Sequence, residues 1–146
     1  MKRLFLEDFT EERVFHFGKY LVSESDAKKF EQVFDPKIPT LSANTGQPDV
    51  ISGWFVCAVT QRLLAEHLVK EVACRLSPGF TNLRFQRGVS IGDILSVRVK
   101  ISRSSPREEL KRGQMRLEVE TLNEQEATVI SYTQNVFVES RGGEKD

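Results

Sequence analysis

Chemistry in this sequence has to come from a short set of residues. Ser52-Gly53 stands near the start of an apolar run spanning residues 50–72. If that run is a helix, its first backbone N–H groups have no partner within the helix. A serine there caps them, and a glycine lets a ligand's carbonyl or oxyanion approach the backbone closely. Capping and ligand binding use the same geometry, so both readings stand. Asp49 lies just before the same run, where a negative charge favours a helix N-terminus. His16, between Phe15 and Phe17, reads as structural, and His67, well along the run, as a surface or interface residue. Cys57 and Cys74 lie in or beside the same run, too far apart along it to bridge, and read as small hydrophobes. With two histidines and no Cys-x-x-Cys or His-x-x-x-His spacing, no metal site is expected.

Composition narrows the classes further. A chain of 146 residues has the length of one domain, and 39% hydrophobic with 29% charged residues is ordinary for a water-soluble globular protein. Its 21 basic and 21 acidic residues give a formal net charge of +0, which offers nothing to nucleic acid or to an anionic membrane at long range. No apolar stretch is long enough to span a bilayer, and Glu7-Asp8 interrupts the apolar N-terminus too early for a signal peptide. The chain is therefore expected to be cytoplasmic. A single domain over residues 1–139 with a polar tail over 140–146 is expected.

The elements that would position these residues follow from hydrophobic patterning. Weak alternation over residues 13–22 suggests a first strand. Ser23 opens a helix, with Asp26 three positions on completing something close to a capping box. Ala27, Phe30 and Phe34, with Val33 alongside, form its apolar stripe, and Pro36 and Pro39 end it. A Pro-, Ser-, Thr-, Asn- and Gly-containing loop runs over 35–49, and long loops within compact domains are often functional. The run at 50–72 is apolar nearly all round at first and amphipathic later, so it predicts a helix buried on every side. Ser77-Pro78-Gly79 signals a turn. Alternation over 80–85, 94–102, 115–122 and 129–138 predicts antiparallel strands, with Val97, Val99 and Ile101 on one face and Ser96, Arg98 and Lys100 on the other. Connections are expected at 90–93, 103–113 and 123–126. A long buried helix between one strand and four more describes an α+β domain in which a curled antiparallel sheet wraps the helix.

At this point the sequence resembles the MaoC-like dehydratases, relatives of the (R)-specific enoyl-CoA hydratases, which have the hot-dog fold. The resemblance is carried by Leu6-Glu7-Asp8-Phe9, Phe34-Asp35-Pro36, Ile51-Ser52-Gly53-Trp54, Ser77-Pro78-Gly79 through Leu83-Arg84-Phe85, Arg87-Gly88-Val89 and Gly92-Asp93, in that order. It implies addition or removal of water across a double bond next to a thioester. In that chemistry a carboxylate and an imidazole act as general base and acid, and N–H groups at the central helix N-terminus polarise the thioester oxygen. Asp35 matches the family's aspartate. Five residues on, where the family has histidine, stands Thr40, whose hydroxyl cannot shuttle protons near neutrality. The resemblance therefore implies a hydratase-like protein with reduced or lost hydration activity, its catalytic positions Asp35 and Thr40. Asp35 reads equally as the acid that ends a helix before Pro36.

Ser52, Gly53 and Trp54 are the substrate-binding candidates, Trp54 as core or tunnel wall. Arg84 and Arg87 lead a basic set, with Arg103, Arg107, Lys111 and Arg112, that would either meet coenzyme A phosphates or form a solvated rim. No cofactor is implied beyond coenzyme A as part of the substrate. The partners implied are an acyl-CoA-type ligand and a second copy of the chain, as a homodimer or higher homo-oligomer. Two alternatives remain. One is a non-catalytic acyl-CoA-binding or partner subunit, completed by a partner that supplies the missing histidine. The other is a hot-dog thioesterase, against which Gln61 counts, since an amide stands where that class places a helix carboxylate.

Overall fold

The computed structural model describes residues 3–36, 50–107 and 112–141. The elements run in the order β1 (Val14–Leu21), α1 (Glu24–Phe34), α2 (Gly53–His67), β2 (Cys74–Phe85), β3 (Ile94–Arg107), β4 (Arg112–Leu122) and β5 (Thr128–Glu139). Short 3-10 turns lie at Leu6–Asp8 and Val69–Glu71. All five strands form one antiparallel sheet in the order β1-β3-β4-β5-β2, so β1 and β2 are its edges. The sheet curls around α2, which packs against β1, β3 and β5. This is the expected helix within a curved antiparallel sheet.

Alternation fixes which strand face meets the helix. Val97, Val99 and Ile101 are wholly buried, as are Leu95 and Leu122, and Met115, Leu117 and Val119 are nearly so. The helix answers with Phe55, Val56, Val59, Leu63 and Leu64. Each such side chain contributes about 2 kcal/mol of burial. Thr60 and Thr121, both buried, satisfy one another across this interface at 2.5 Å, and the Thr60 hydroxyl also donates to the Val56 carbonyl at 2.8 Å. Gly18 lets β1 cross the helix: its φ is +87°, and a Cβ there would meet the Leu63 methyls at 3.1 and 3.2 Å. The register of β1 on β3 shifts at this point, between Phe17 and Tyr20.

Several expectations change in detail. The helix spans Gly53–His67 rather than 50–72, because Leu68 leaves helical geometry and a 3-10 turn follows. It is not buried on every side: Trp54 is 55% exposed, and Ala58, Gln61 and Arg62 continue that open stripe. Cys57 is a half-buried free thiol on α2, whereas Cys74 opens β2 rather than flanking the helix. Ser77-Pro78-Gly79 makes no turn but lies within β2, at a shift in its register on β5. An edge strand tolerates proline because one side of it needs no ladder donor. Strands β3 and β4 extend to Arg107 and from Arg112, through most of the connection expected at 103–113.

On α1, Ser23 does cap, its hydroxyl accepting from the Asp26 N–H at 3.2 Å. The reciprocal half of the box is absent, because the Asp26 carboxylate accepts from the Tyr20 hydroxyl instead. Of the expected stripe, Ala27 is buried and Phe30 packs on Phe55, while Val33 and Phe34 lie mostly in solvent.

On the outer sheet face Arg98 of β3 donates to Glu120 of β4 through Nε and Nη2, at 3.2 and 3.0 Å. Thr128 donates to the other oxygen at 2.6 Å. Burial works to raise the Glu120 carboxyl, but these hydrogen bonds outweigh it and leave it below the usual carboxylate range. A carboxyl depressed in the folded state stabilises above its unfolded pKa, and that stability is lost as pH falls through the folded value. Glu120→Gln is thus expected to flatten the fall of urea midpoint below about pH 4.5, and an unchanged slope would contradict this assignment.

Candidate active site

The N-terminus of α2 is capped by Ser52, whose hydroxyl oxygen accepts from the N–H groups of Trp54 and Phe55 at 3.1 and 3.4 Å. The same hydroxyl donates to the Asp35 carboxylate at 2.5 Å. The Ser52 N–H donates to Glu31 at 2.8 Å. Glu31 and Asp35 sit one turn apart at the end of α1, where the Asp35 N–H closes the helix onto the Glu31 carbonyl at 3.1 Å. Two carboxylates from α1 therefore clamp the serine that opens α2. Asp35 does serve as the helix-ending residue, and it is held in a defined place by that role.

This clamp borders a cavity of about 370 Å³. Asp35, Gly53, Trp54, Phe85 and Arg87 are on its wall, with Val50, Ile51, Val56, Gln86, Gly88, Val89 and Ile130 completing it. The Val89 carbonyl accepts from the Ile51 N–H at 2.8 Å, tying the loop after β2 to the approach to α2. Trp54 and Phe85 meet edge-on with ring centroids 5.4 Å apart. The Phe85 ring lies flush on Gly53, where a Cβ would fall 2.6 Å from two of its carbons. A larger residue there would have to displace the Phe85 ring.

The expectation of several free N–H groups at this helix start is corrected. Those of Ser52, Trp54 and Phe55 are taken, and among the described residues the Gly53 N–H alone of these four has no acceptor. Gly53 thus offers one donor to an oxygen atom in the cavity, with the helix dipole behind it. The arrangement combines a fixed carboxylate, a backbone donor and an apolar wall, a setting suited to polarising a carbonyl beside a general base.

Other expected residues fall elsewhere. Ser52 is not on the cavity wall and acts through Asp35 and the helix start. Arg84 lies outside the wall, in register with Ser131 on the outer face. Thr40 and Asp49 lie outside the described residues, as does Lys111, and the side chain of Arg107 is likewise not described. His16 binds the Ser96 hydroxyl at 3.0 Å on β1, and His67 stacks on Phe17 at 5.5 Å, so neither borders the cavity. Gln61 is exposed and away from it. No three of His, Cys, Asp and Glu gather as a metal site among the described residues, and no described helix is long and apolar enough to cross a membrane.

Sequence reasoning missed Glu31, Phe85 and Ile130. Glu31 was legible only through its four-residue spacing from Asp35, and the others come from the fold.

Replacing Ser52 by Ala removes the cap and the bond to Asp35 together. It is expected to destabilise the chain by about 0.5–2 kcal/mol in urea denaturation, and a variant as stable as the parent would contradict the capping geometry.

No family model matches the chain, and no curated protein matches it in sequence. Solved structures do. A MaoC-like dehydratase from Rhodospirillum rubrum superposes with a TM-score of 0.79 at 26% identity, covering 94% of this chain and 98% of the other. An (R)-hydratase from Pseudomonas aeruginosa gives 0.70 at 18% identity over 95% and 88%. A Mycobacterium tuberculosis protein described as a double hot-dog fold gives 0.74 at 17% identity, with 94% of this chain covering 44% of that one. The chain has the hot-dog fold, and its structural neighbours are MaoC-like dehydratases and (R)-hydratases.

Proposed function

We propose that this chain binds an acyl-CoA or related thioester at the start of α2 and is a hydratase-like protein of reduced activity. The observation that carries the reading is the Asp35 carboxylate held by Ser52 on the same cavity as the Gly53 N–H, which has no acceptor among the described residues. In this reading the thioester oxygen accepts from the Gly53 N–H, and the acyl chain lies against Ile51, Val56 and Ile130. Asp35 is the base that takes a proton from the attacking water. In the reverse direction its protonated carboxyl returns that proton to the departing hydroxyl, while the proton on the carbon next to the thioester comes from and returns to solvent. Thr40, standing where relatives of this kind carry histidine, supplies no acid, so the rate falls by about 10²- to 10⁴-fold relative to a complete pair.

A second copy of the chain is the proposed partner. Phe80, Leu83 and Phe85 on the edge strand β2, with Trp54 beside them, are large apolar side chains 38–56% exposed. An exposed apolar edge strand is a template for pairing. The same patch favours the second reading, in which the chain is a non-catalytic subunit completed by a partner that brings a histidine.

Crotonyl-CoA decides between these readings. Slow loss of its enoyl absorbance supports the hydratase-like reading. Binding without turnover supports the subunit reading. Release of free thiol would indicate a thioesterase and count against both.

A further inference from the structure

A β-bulge changes the face on which β3 presents its side chains. Up to Ile101 the odd-numbered residues face the core, Val97, Val99 and Ile101 being wholly buried. Between Ile101 and Arg103 the register on β4 slips: Ile101 opposes Leu117, but Arg103 opposes Arg116. Ser102 is the extra residue, its hydroxyl donating to the Arg116 carbonyl at 3.3 Å. The slip turns Arg103 and Ser105 outward, beside Arg116 and Gln114, whose neighbours Met115 and Leu117 face the core. Bulges re-aim side chains in this way and concentrate near functional sites.

The result is a cavity of about 190 Å³ lined by Arg103, Ser105, Gln114, Arg116 and Asn135. It lies on the face of the sheet opposite α2 and shares no residue with the Asp35 cavity. Arg103 and Arg116 are direct cross-strand neighbours, an arrangement that costs stability when nothing lies between like charges. The adjacent outward positions are neutralised: Arg98 pairs with Glu120 and Lys100 with Glu12. Arg103 and Arg116 have no carboxylate partner among the described residues. Arg103 instead donates through Nε to the Ser105 hydroxyl at 3.2 Å. The Asn135 side-chain oxygen is shut from solvent with no hydrogen-bond partner among the described residues.

We infer that this outer-face cavity is a binding site for a phosphate group, separate from the thioester site. Two forked guanidinium groups, a hydroxyl and two amides match the many acceptors of a phosphate, and no acid is among them. The cavity's small size and the chain's zero net charge favour a small phosphorylated molecule over a polyanion.

The test is titration of the intact protein with inorganic phosphate and pyrophosphate at constant ionic strength, followed by backbone amide chemical shifts. Saturable shifts at residues 103, 116 and 135 are expected. Arg116→Gln and Arg103→Gln should each weaken binding about tenfold or more, while Arg98→Gln, on the same face but paired to Glu120, should leave it unchanged. Shifts that do not saturate would overturn the assignment. Equal loss in the Arg98 variant would also overturn it, by reducing the effect to diffuse surface charge. Competition by crotonyl-pantetheine, a thioester without phosphate groups, would overturn it too, by making the cavity part of the thioester site.

Discussion

Thr40→His is expected to raise the rate of crotonyl-CoA hydration by about 10²- to 10⁴-fold. The size follows from what is missing rather than from what is present. Asp35 is already held by the Ser52 hydroxyl at 2.5 Å on a cavity that also carries the Gly53 N–H. In the proposed reading the carboxylate is the base and the backbone donor meets the developing oxyanion, and the acid is the role that Thr40 does not fill. An imidazole five residues after Asp35 titrates near neutrality, which a threonine hydroxyl does not. Adding Asp35→Asn to the Thr40→His variant should return the rate to that of the parent or below. Steady-state absorbance at several pH values checks both, and the gain should follow the titration of a group near pH 6–7. A Thr40→His variant no faster than the parent would place the acid elsewhere or leave the chain without this chemistry.

Leu64→Ala is expected to destabilise the fold by about 2–5 kcal/mol. Leu64 is 1% exposed on the helix face that meets the sheet. Truncation there leaves a void between a helix and a curved sheet, neither of which can close onto it without disturbing the other. Since domains of this size are stable by about 5–15 kcal/mol, the loss is a large share of the total. The contrasting substitution is Trp54→Ala. Trp54 lies on the same helix but is 55% exposed, so its removal should cost far less in a dilute monomer. Urea unfolding of the two variants gives the comparison, and equal losses would mean that the sheet does not enclose the helix as described.

The fold was legible because it rests on patterns that survive without tertiary knowledge. Strict alternation at Val97, Val99 and Ile101 and at Met115, Leu117 and Val119 assigned the buried face of the sheet, and an apolar run too long for a strand assigned the helix. Punctuation was less readable. Ser77-Pro78-Gly79 carries every mark of a turn, yet on an edge strand the same residues make a bulge, and only the sheet order distinguishes the two. The outward stripe at Trp54 was hidden for a related reason: apolar residues on an open face look the same in sequence as those in a core. At the site, Ser52 and Gly53 were legible because a helix start has local rules, whereas Asp35 entered through the family resemblance, its helix-ending position being the competing local reading. Glu31, Phe85 and Ile130 come from three different elements, and no local rule brings them together. The bulge at Ser102 is the clearest case, since one extra residue turned Arg103 to the outer face of a strand that continues where a connection was expected from residue 103 on.

The Gly53 amide gives the most direct test of the thioester reading. Titrating isotopically labelled protein with crotonyl-CoA should move the Gly53 N–H resonance downfield and saturate it, as its hydrogen passes from having no acceptor among the described residues to holding a carbonyl oxygen. A Gly53 resonance that stays in place while crotonyl-CoA binds, or a chain that does not bind it at all, would contradict the account.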